Sequence, residues 1–312
     1  MVRNVVITGG TGFIGAAIVR ELLAAGNHVT VLVRQDSDLT RLNGLSAVTI
    51  VRYSALHSAE TIAALSAAKP DAFIHCAWQG VGGQDRNAAF QVKDNLALTL
   101  DAVDLAAAIG CRQWVGLGSQ AEYGNQNRRL NEDAALLPTT LYGKAKLAAG
   151  IAALALCEAR GIQGAWLRVF STYGPGDAPG WFIPFVTQEF LAGRKPTLTK
   201  CEQQWDYLYV ADAARAVVAV IDSAASGVFN LGSGSARPLV DYVEAIRSVL
   251  ASDLTPEYGA VPYRPDQVMH LEADTSKLTT QTGWRPTVDL SAGIAATVAF
   301  ERNRSGAPAP IL

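Results

Sequence analysis

Tyr142 and Lys146 lie four residues apart in Thr140-Leu141-Tyr142-Gly143-Lys144-Ala145-Lys146, a spacing that puts both on one face of a helix. A phenol can transfer a proton near neutral pH only if its anion is stabilised, and an ammonium one turn away does that. Ser119, in Gly118-Ser119-Gln120-Ala121-Glu122-Tyr123-Gly124, follows an apolar run and could donate a hydrogen bond to the oxygen that the phenol serves. Taken alone, Tyr-x-x-x-Lys is a common surface pair. Its meaning depends on what the rest of the chain builds around it.

The elements that must position these groups start at the N-terminus. Val5-Val6-Ile7-Thr8 runs into Gly9-Gly10-Thr11-Gly12-Phe13-Ile14-Gly15 and then into a helical stretch from Ala16 to Ala25. This is the strand, turn and helix context of a dinucleotide-binding loop. Gly9 or Gly10 permits the tight turn, Gly12 lets the backbone approach a pyrophosphate, and Gly15 allows close helix packing. Phe13 and Ile14 complete the run, and the free N–H groups at the helix start face the anion. A second strand, His28 to Val33, ends at Arg34, where an acidic residue would hold the ribose 2′-OH of NAD. An arginine there pairs with a 2′-phosphate, so the residues favour NADP(H) over NAD(H), with Asp36 or Asp38 as the competing 2′-OH ligand.

A third strand is expected from Ala47 to Arg52, then a helix from Ala59 to Ala68 stopped by Lys69-Pro70. The continuous apolar run Ala72 to Ala77 reads as a strand covered on both faces. Ala77 lies at its cofactor end, and His75 is read as a structural histidine. The glycine-rich loop Trp78 to Gly83, a helix from Ala88 to Ile109 and a fifth strand from Gln113 to Leu117 follow. Alternating strands and helices give a Rossmann-type α/β fold with a doubly wound parallel sheet. Strand ends in such a sheet point at the ligand crevice, and Ser119 stands at one of them.

The bulk properties exclude other classes. A net charge of −2 gives no basic footprint for nucleic acid. Cys76, Cys111, Cys157 and Cys201 are scattered with no ligand-like spacing, so no metal site is expected and the thiols read as reduced. No apolar run reaches transmembrane length. The expected setting is cytoplasmic, without a membrane partner.

With these motifs in order, the chain resembles the extended short-chain dehydrogenase/reductase family, specifically its nucleotide-sugar epimerases, dehydratases and reductases. The family's T-G-x-x-G-F-I-G is similar to Thr8 to Gly15, its serine loop to Ser119 to Gly124, and its Y-x-x-x-K to Tyr142 to Lys146. Further matches are Leu167 to Pro175, Trp205 to Asp212, Phe229 to Gly232, Arg264-Pro265-Asp266, Asp274 to Lys277 and Gly283 to Pro286. The resemblance implies Tyr142 as acid/base, Lys146 on the nicotinamide ribose, and Ser119 on the sugar oxygen. It also implies Asn95, Gln120, Ser171 and Arg264 against the substrate, with Arg264 on the pyrophosphate.

Departures narrow the reaction. The sugar 4,6-dehydratases of the family carry Asp-Glu after the catalytic hydroxyl residue, whereas this chain has Gln120-Ala121, neither able to move a proton. Ser171 replaces an asparagine, Trp205 an arginine, and Tyr53-Ser54 the usual Gly-Asp. The resemblance divides the chain into a dinucleotide-binding domain, residues 1–170 and 205–232, and a smaller C-terminal substrate-binding lobe, residues 171–204 and 233–312. Residues from Asn303, with Pro308 and Pro310, read as a loose tail. The family pairs two apolar-faced helices like Ala88 to Ile109 and Gly143 to Arg160, so a homodimer is expected. The leading expectation is NADPH-dependent reduction of a 4-keto-6-deoxy sugar nucleotide. The alternatives are an NAD-dependent 4-epimerase and, more remotely, a non-catalytic dinucleotide-binding scaffold.

Overall fold

The computed structural model describes residues 2–305. In chain order the first half contains β1 (Asn4–Thr8), α1 (Phe13–Ala24), β2 (His28–Arg34), β3 (Val48–Tyr53), α2 (Ala59–Ser66), β4 (Ala72–His75), α3 (Phe90–Ala108), β5 (Gln113–Ser119), β6 (Arg128–Leu130) and α4 (Leu141–Ala159). The second half contains β7 (Gln163–Val169), β8 (Ser171–Tyr173), α5 (Phe182–Leu191), β9 (Gln204–Trp205), β10 (Tyr207–Tyr209), α6 (Val210–Asp222), β11 (Gly227–Leu231), β12 (Arg237–Pro238), α7 (Leu239–Val249), β13 (His270–Ala273), α8 (Ser276–Thr282) and α9 (Leu290–Ser305).

Seven strands form the central sheet in the order β11-β7-β5-β4-β1-β2-β3, every neighbouring pair parallel. The order reverses beside β1, which puts the crevice outside the carboxyl ends of β1 and β4. Period-two alternation divides the core between the two faces. Val5 and Ile7 pack with α1 and α6, while Val6 packs with Phe73, Trp114 and Trp166 against α3 and α4.

A second, four-stranded sheet has the order β12-β9-β13-β6, and β8 pairs with β10. A separate apolar cluster joins α5, α7 and α9 around Tyr173 and Tyr242. Two fully buried aspartates connect distant segments. The Asp206 carboxylate accepts from the N–H groups of Ser233 (2.7 Å), Gly234 (3.0 Å) and Ala273 (3.0 Å). Asp212 accepts from Thr287 N (2.8 Å), Val288 N (3.0 Å) and Arg215 Nη2 (2.6 Å).

The five sheet strands expected from the sequence lie within a residue or two of their places, with β4 ending at His75 and β5 extending to Ser119, and β7 and β11 complete the sheet. The second sheet has no counterpart in the sequence reading: Arg128-Arg129-Leu130 is too short and too charged to signal a strand, and its partner β13 is far along the chain. Asn303 closes α9 instead of opening a tail, and Pro308 and Pro310 lie outside the described residues. Among the described residues no helix is long and apolar enough to cross a membrane, and no three His, Cys, Asp or Glu side chains converge as metal ligands.

Candidate active site

The glycine loop is closed by contacts that admit no side chain. Gly9 has φ +69°, and a Cβ on it would sit 2.5 Å from Ala77 N, at the end of β4. A Cβ on Gly15 would lie 2.1 Å from Gly9 O, so this glycine seats α1 on the turn itself. Gly12 N donates to Gly9 O (2.9 Å), and Gly12 caps α1 without a side-chain acceptor. Phe13 and Ile14, both half-buried, open the helix. Its first N–H groups therefore remain available to an anion. Overpacking of this kind costs about 1–3 kcal/mol. Gly15→Ala is expected to lose that much stability and, by displacing the loop, to weaken dinucleotide binding. Thermal unfolding and calorimetric titration check both effects.

Ser119 ends β5 and caps a single turn. Its Oγ accepts from Ala121 N (3.1 Å), while its own N donates to Glu122 Oε1 (2.8 Å), a reciprocal capping box. The Glu122 carboxylate is fully buried and also accepts from Trp166 Nε1 (3.0 Å) and Arg168 Nε (2.8 Å). Arg168 Nη1 continues to the Tyr123 hydroxyl (2.9 Å), which donates to Asn230 Oδ1 (2.6 Å). A buried ion pair with a hydrogen-bonded tail thus holds the serine turn from below. Neither Glu122 nor Arg168 was singled out by the sequence reading.

Tyr142 occupies the first turn of α4, which starts at Thr140, whose Oγ1 accepts from Gly143 N (3.1 Å). Burial raises the Tyr142 phenol above its ordinary value, while a hydrogen bond with Ser119 and the charge of Arg86 pull it down. The Arg86 guanidinium lies 5.5 Å from the tyrosine ring centre. Lys146, one turn on, is buried and donates from Nζ to Leu117 O (2.7 Å). Burial brings its ammonium down to about 7, opposed by the charge of Glu122. Ser119, Tyr142 and Lys146 are thus brought together at one strand end. Trp78 joins them, its ring centre 3.7 Å from Lys146 Nζ and 6.0 Å from the Tyr142 ring. The sequence reading took it only as a loop residue.

His75 is structural: it bonds Thr8 Oγ1 through Nδ1 (2.9 Å), faces Trp114, and is pushed down to about 3 by burial and then by Lys146. Asn95 faces the loop after β4. It is buried, with Oδ1 accepting from Gln79 N (2.8 Å) and Nδ2 donating to Gln79 O (3.0 Å) and Gln91 Oε1 (3.1 Å). Its polar capacity goes into pinning the loop after β4, which leaves little for a substrate. The half-exposed Gln120 side chain makes no hydrogen bond among the described residues.

Ser171 and Trp205, noted separately as departures, meet: Trp205 Nε1 donates to Ser171 Oγ (2.7 Å). Arg264 is exposed in a turn closed by Gln267 N to Arg264 O (3.0 Å), and Asn125 beyond the serine turn donates to Asp266 O (3.0 Å). Arg34 is exposed at the end of β2, 3.7 Å from Asp36. Asp38 is occupied by Thr40 N (2.8 Å). Arg41, which carries no motif, reaches Thr11 O in the glycine loop (3.4 Å) and Gly176 O (3.0 Å).

A model of the NAD dependent epimerase/dehydratase family matches residues 5–232. Among curated proteins, the chain is 28% identical to a dTDP-glucose 4,6-dehydratase of Streptomyces griseus, over 98% of this chain and 96% of that one. It is also 28% identical to UDP-glucose 4-epimerase 4 of Oryza sativa subsp. japonica, over 91% of this chain and 86% of that one. Among solved structures, the UDP-N-acetylglucosamine 4-epimerase from Methanobrevibacter ruminantium M1 superposes with a TM-score of 0.87 at 26% identity, covering 97% of this chain and 99% of that one. The matched span runs from β1 through β11 and takes in the glycine turn, the serine turn and the Tyr142–Lys146 helix; on that match the chain belongs to the NAD dependent epimerase/dehydratase family.

Proposed function

We propose that this chain is an NADP(H)-dependent oxidoreductase that reduces a keto carbon of a nucleotide-diphosphate sugar, best fitted to C4 of a 4-keto-6-deoxy sugar. The glycine cradle, whose closest approaches leave no room for a Cβ at Gly9 or Gly15, fits a dinucleotide. When bound, that cofactor supplies hydride exchange with the sugar carbon. The chain supplies the proton chemistry. Tyr142 gives its phenolic proton to the sugar oxygen as the carbonyl becomes a hydroxyl, and Ser119 donates a hydrogen bond to the same oxygen. Lys146 stabilises the phenolate left behind and holds the nicotinamide ribose. Arg264 takes the substrate diphosphate, for which a guanidinium fork is suited. Dehydration is disfavoured because Gln120 and Ala121 cannot act as acid or base.

Residues 1–170 and 205–232 are read as the dinucleotide-binding domain, and 171–204 with 233–312 as the substrate lobe. Val92 on α3 and Ile151 on α4 are exposed apolar residues, and they support a homodimer packed through these helices.

The observation that carries the choice of cofactor is the end of β2, where Arg34 stands in the place of an acidic residue, with the exposed Asp36 beside it. A charge-assisted hydrogen bond to a 2′-phosphate is worth roughly 1.5–3 kcal/mol. Arg34→Ala is therefore expected to cut the preference for NADP+ over NAD+ by about tenfold or more, read by calorimetric titration with each. Stoichiometric NADPH consumption with a 4-keto-6-deoxy nucleotide sugar is the expected activity. Turnover of a UDP-sugar with no added cofactor would instead establish the second reading, a 4-epimerase, which is supported by the likeness to the Methanobrevibacter enzyme.

A further inference from the structure

We propose that Trp78 is a positioning residue for the proposed active site: the face of its indole holds the Lys146 ammonium in its charged form beside the Tyr142 phenol. The geometry is direct. Lys146 Nζ stands 3.7 Å from the centre of the Trp78 ring system and 5.8 Å from that of Trp166. The Tyr142 ring meets Trp78 edge-on, at 85°. Trp78 is itself anchored, donating from Nε1 to Gln91 Oε1 (2.8 Å). Gln91 is fully buried and donates to Gly80 O and Asp85 O. The buried amides of α3 thus fix the loop, and the loop fixes the ring over the lysine.

The aromatic face attracts the ammonium and not the neutral amine. Burial works against the charge, and the groups that face it are few. The Glu122 carboxylate favours it but is shared with Arg168, the Cys76 thiol is pushed up to about 12 by burial and carries no charge, and His75 stays neutral. Trp78 therefore supplies stabilisation that the neighbouring anions do not, and Tyr142 benefits through Lys146.

The proposal deepens the reading of Lys146 as partner of the phenol and the dinucleotide, but its test needs no dinucleotide. Protein labelled with [ε-13C]lysine is titrated by NMR, with Lys146 assigned by the loss of its signal in Lys146→Arg. Tryptophan is replaced during expression by mono-, di- and trifluorotryptophan, which weaken the π face with little change of shape. The Lys146 midpoint is expected to fall stepwise, by about half to one pH unit at the trifluoro stage. It should stay flat across the same series in Trp78→Phe. A midpoint that ignores fluorination overturns the proposal, and so does an equal fall in Trp78→Phe, which would assign the effect to Trp166. Should Trp78→Phe fail to fold, the same series in Trp166→Phe decides: a fall that persists there belongs to Trp78, and one that vanishes there overturns the proposal. NADP+ affinity against pH, run alongside, tests the dinucleotide reading separately. A fluorine-dependent midpoint without NADP+ binding would sink that reading and leave this one standing.

Discussion

Tyr142→Phe is expected to lower turnover by about 10²–10⁴-fold, the usual contribution of a positioned acid or base, while dinucleotide affinity changes little. The substitution removes one oxygen and keeps the ring. The edge contact with Trp78 and the Arg86 guanidinium over the ring persist, and the helix start at Thr140 is untouched. Ser119 Oγ still accepts from Ala121 N, so the serine turn keeps its shape. Steady-state rates with NADPH and a keto sugar nucleotide, paired with calorimetric binding of NADP+, separate chemistry from binding. Undiminished turnover would remove the phenol from the mechanism; undiminished function with no turnover in either protein would favour the scaffold reading.

That much was legible because its signals are local. A strand, a glycine turn and a helix within some twenty residues declare a nucleotide loop, and a four-residue spacing declares a shared helix face. β1 and β4, inside the sheet, are buried on both sides and read as short, largely apolar runs. What the chain kept hidden depends on contacts between distant segments. β6 and β13 find each other across more than a hundred residues, with a three-residue register. Ser171 and Trp205 look like two independent departures, and only their hydrogen bond shows that the two side chains meet. Asn95 carries a family match yet spends its amide on the loop that carries Trp78. No pattern in a glycine-rich loop announces that its tryptophan will turn inward onto a lysine sixty-eight positions later.

The second large effect is expected at Arg168→Met. Glu122 and Arg168 have side-chain exposures of 1% and 6%, so neither charge can be hydrated if its partner goes. Removing one member of a buried pair costs about 3–5 kcal/mol. Arg168→Met also removes the donor to the Tyr123 hydroxyl, which keeps only its bond to Asn230, and lets the Glu122 carboxylate pull against the serine turn. Glu122→Gln should be milder, because an amide oxygen still receives Ser119 N and Trp166 Nε1, and Arg168 keeps Tyr123. Denaturant unfolding of the two variants should rank them in that order. Parent-like stability in both variants would mean that the pair is solvated or replaceable, contrary to its burial.

The grip of Asp206 and Asp212 on later segments bears on how the molecule can be divided. The span that matches the family ends at residue 232, just short of the donors at Ser233, Gly234, Ala273, Thr287 and Val288 that neutralise those carboxylates. A chain cut at that border would lose the backbone amides that hold both carboxylates, leaving Asp212 with Arg215 alone of the partners named above. The span that matches the family is thus not a detachable module: the last quarter of the sequence serves it as a set of counter-dipoles, and grafting the first 232 residues elsewhere would require replacing them.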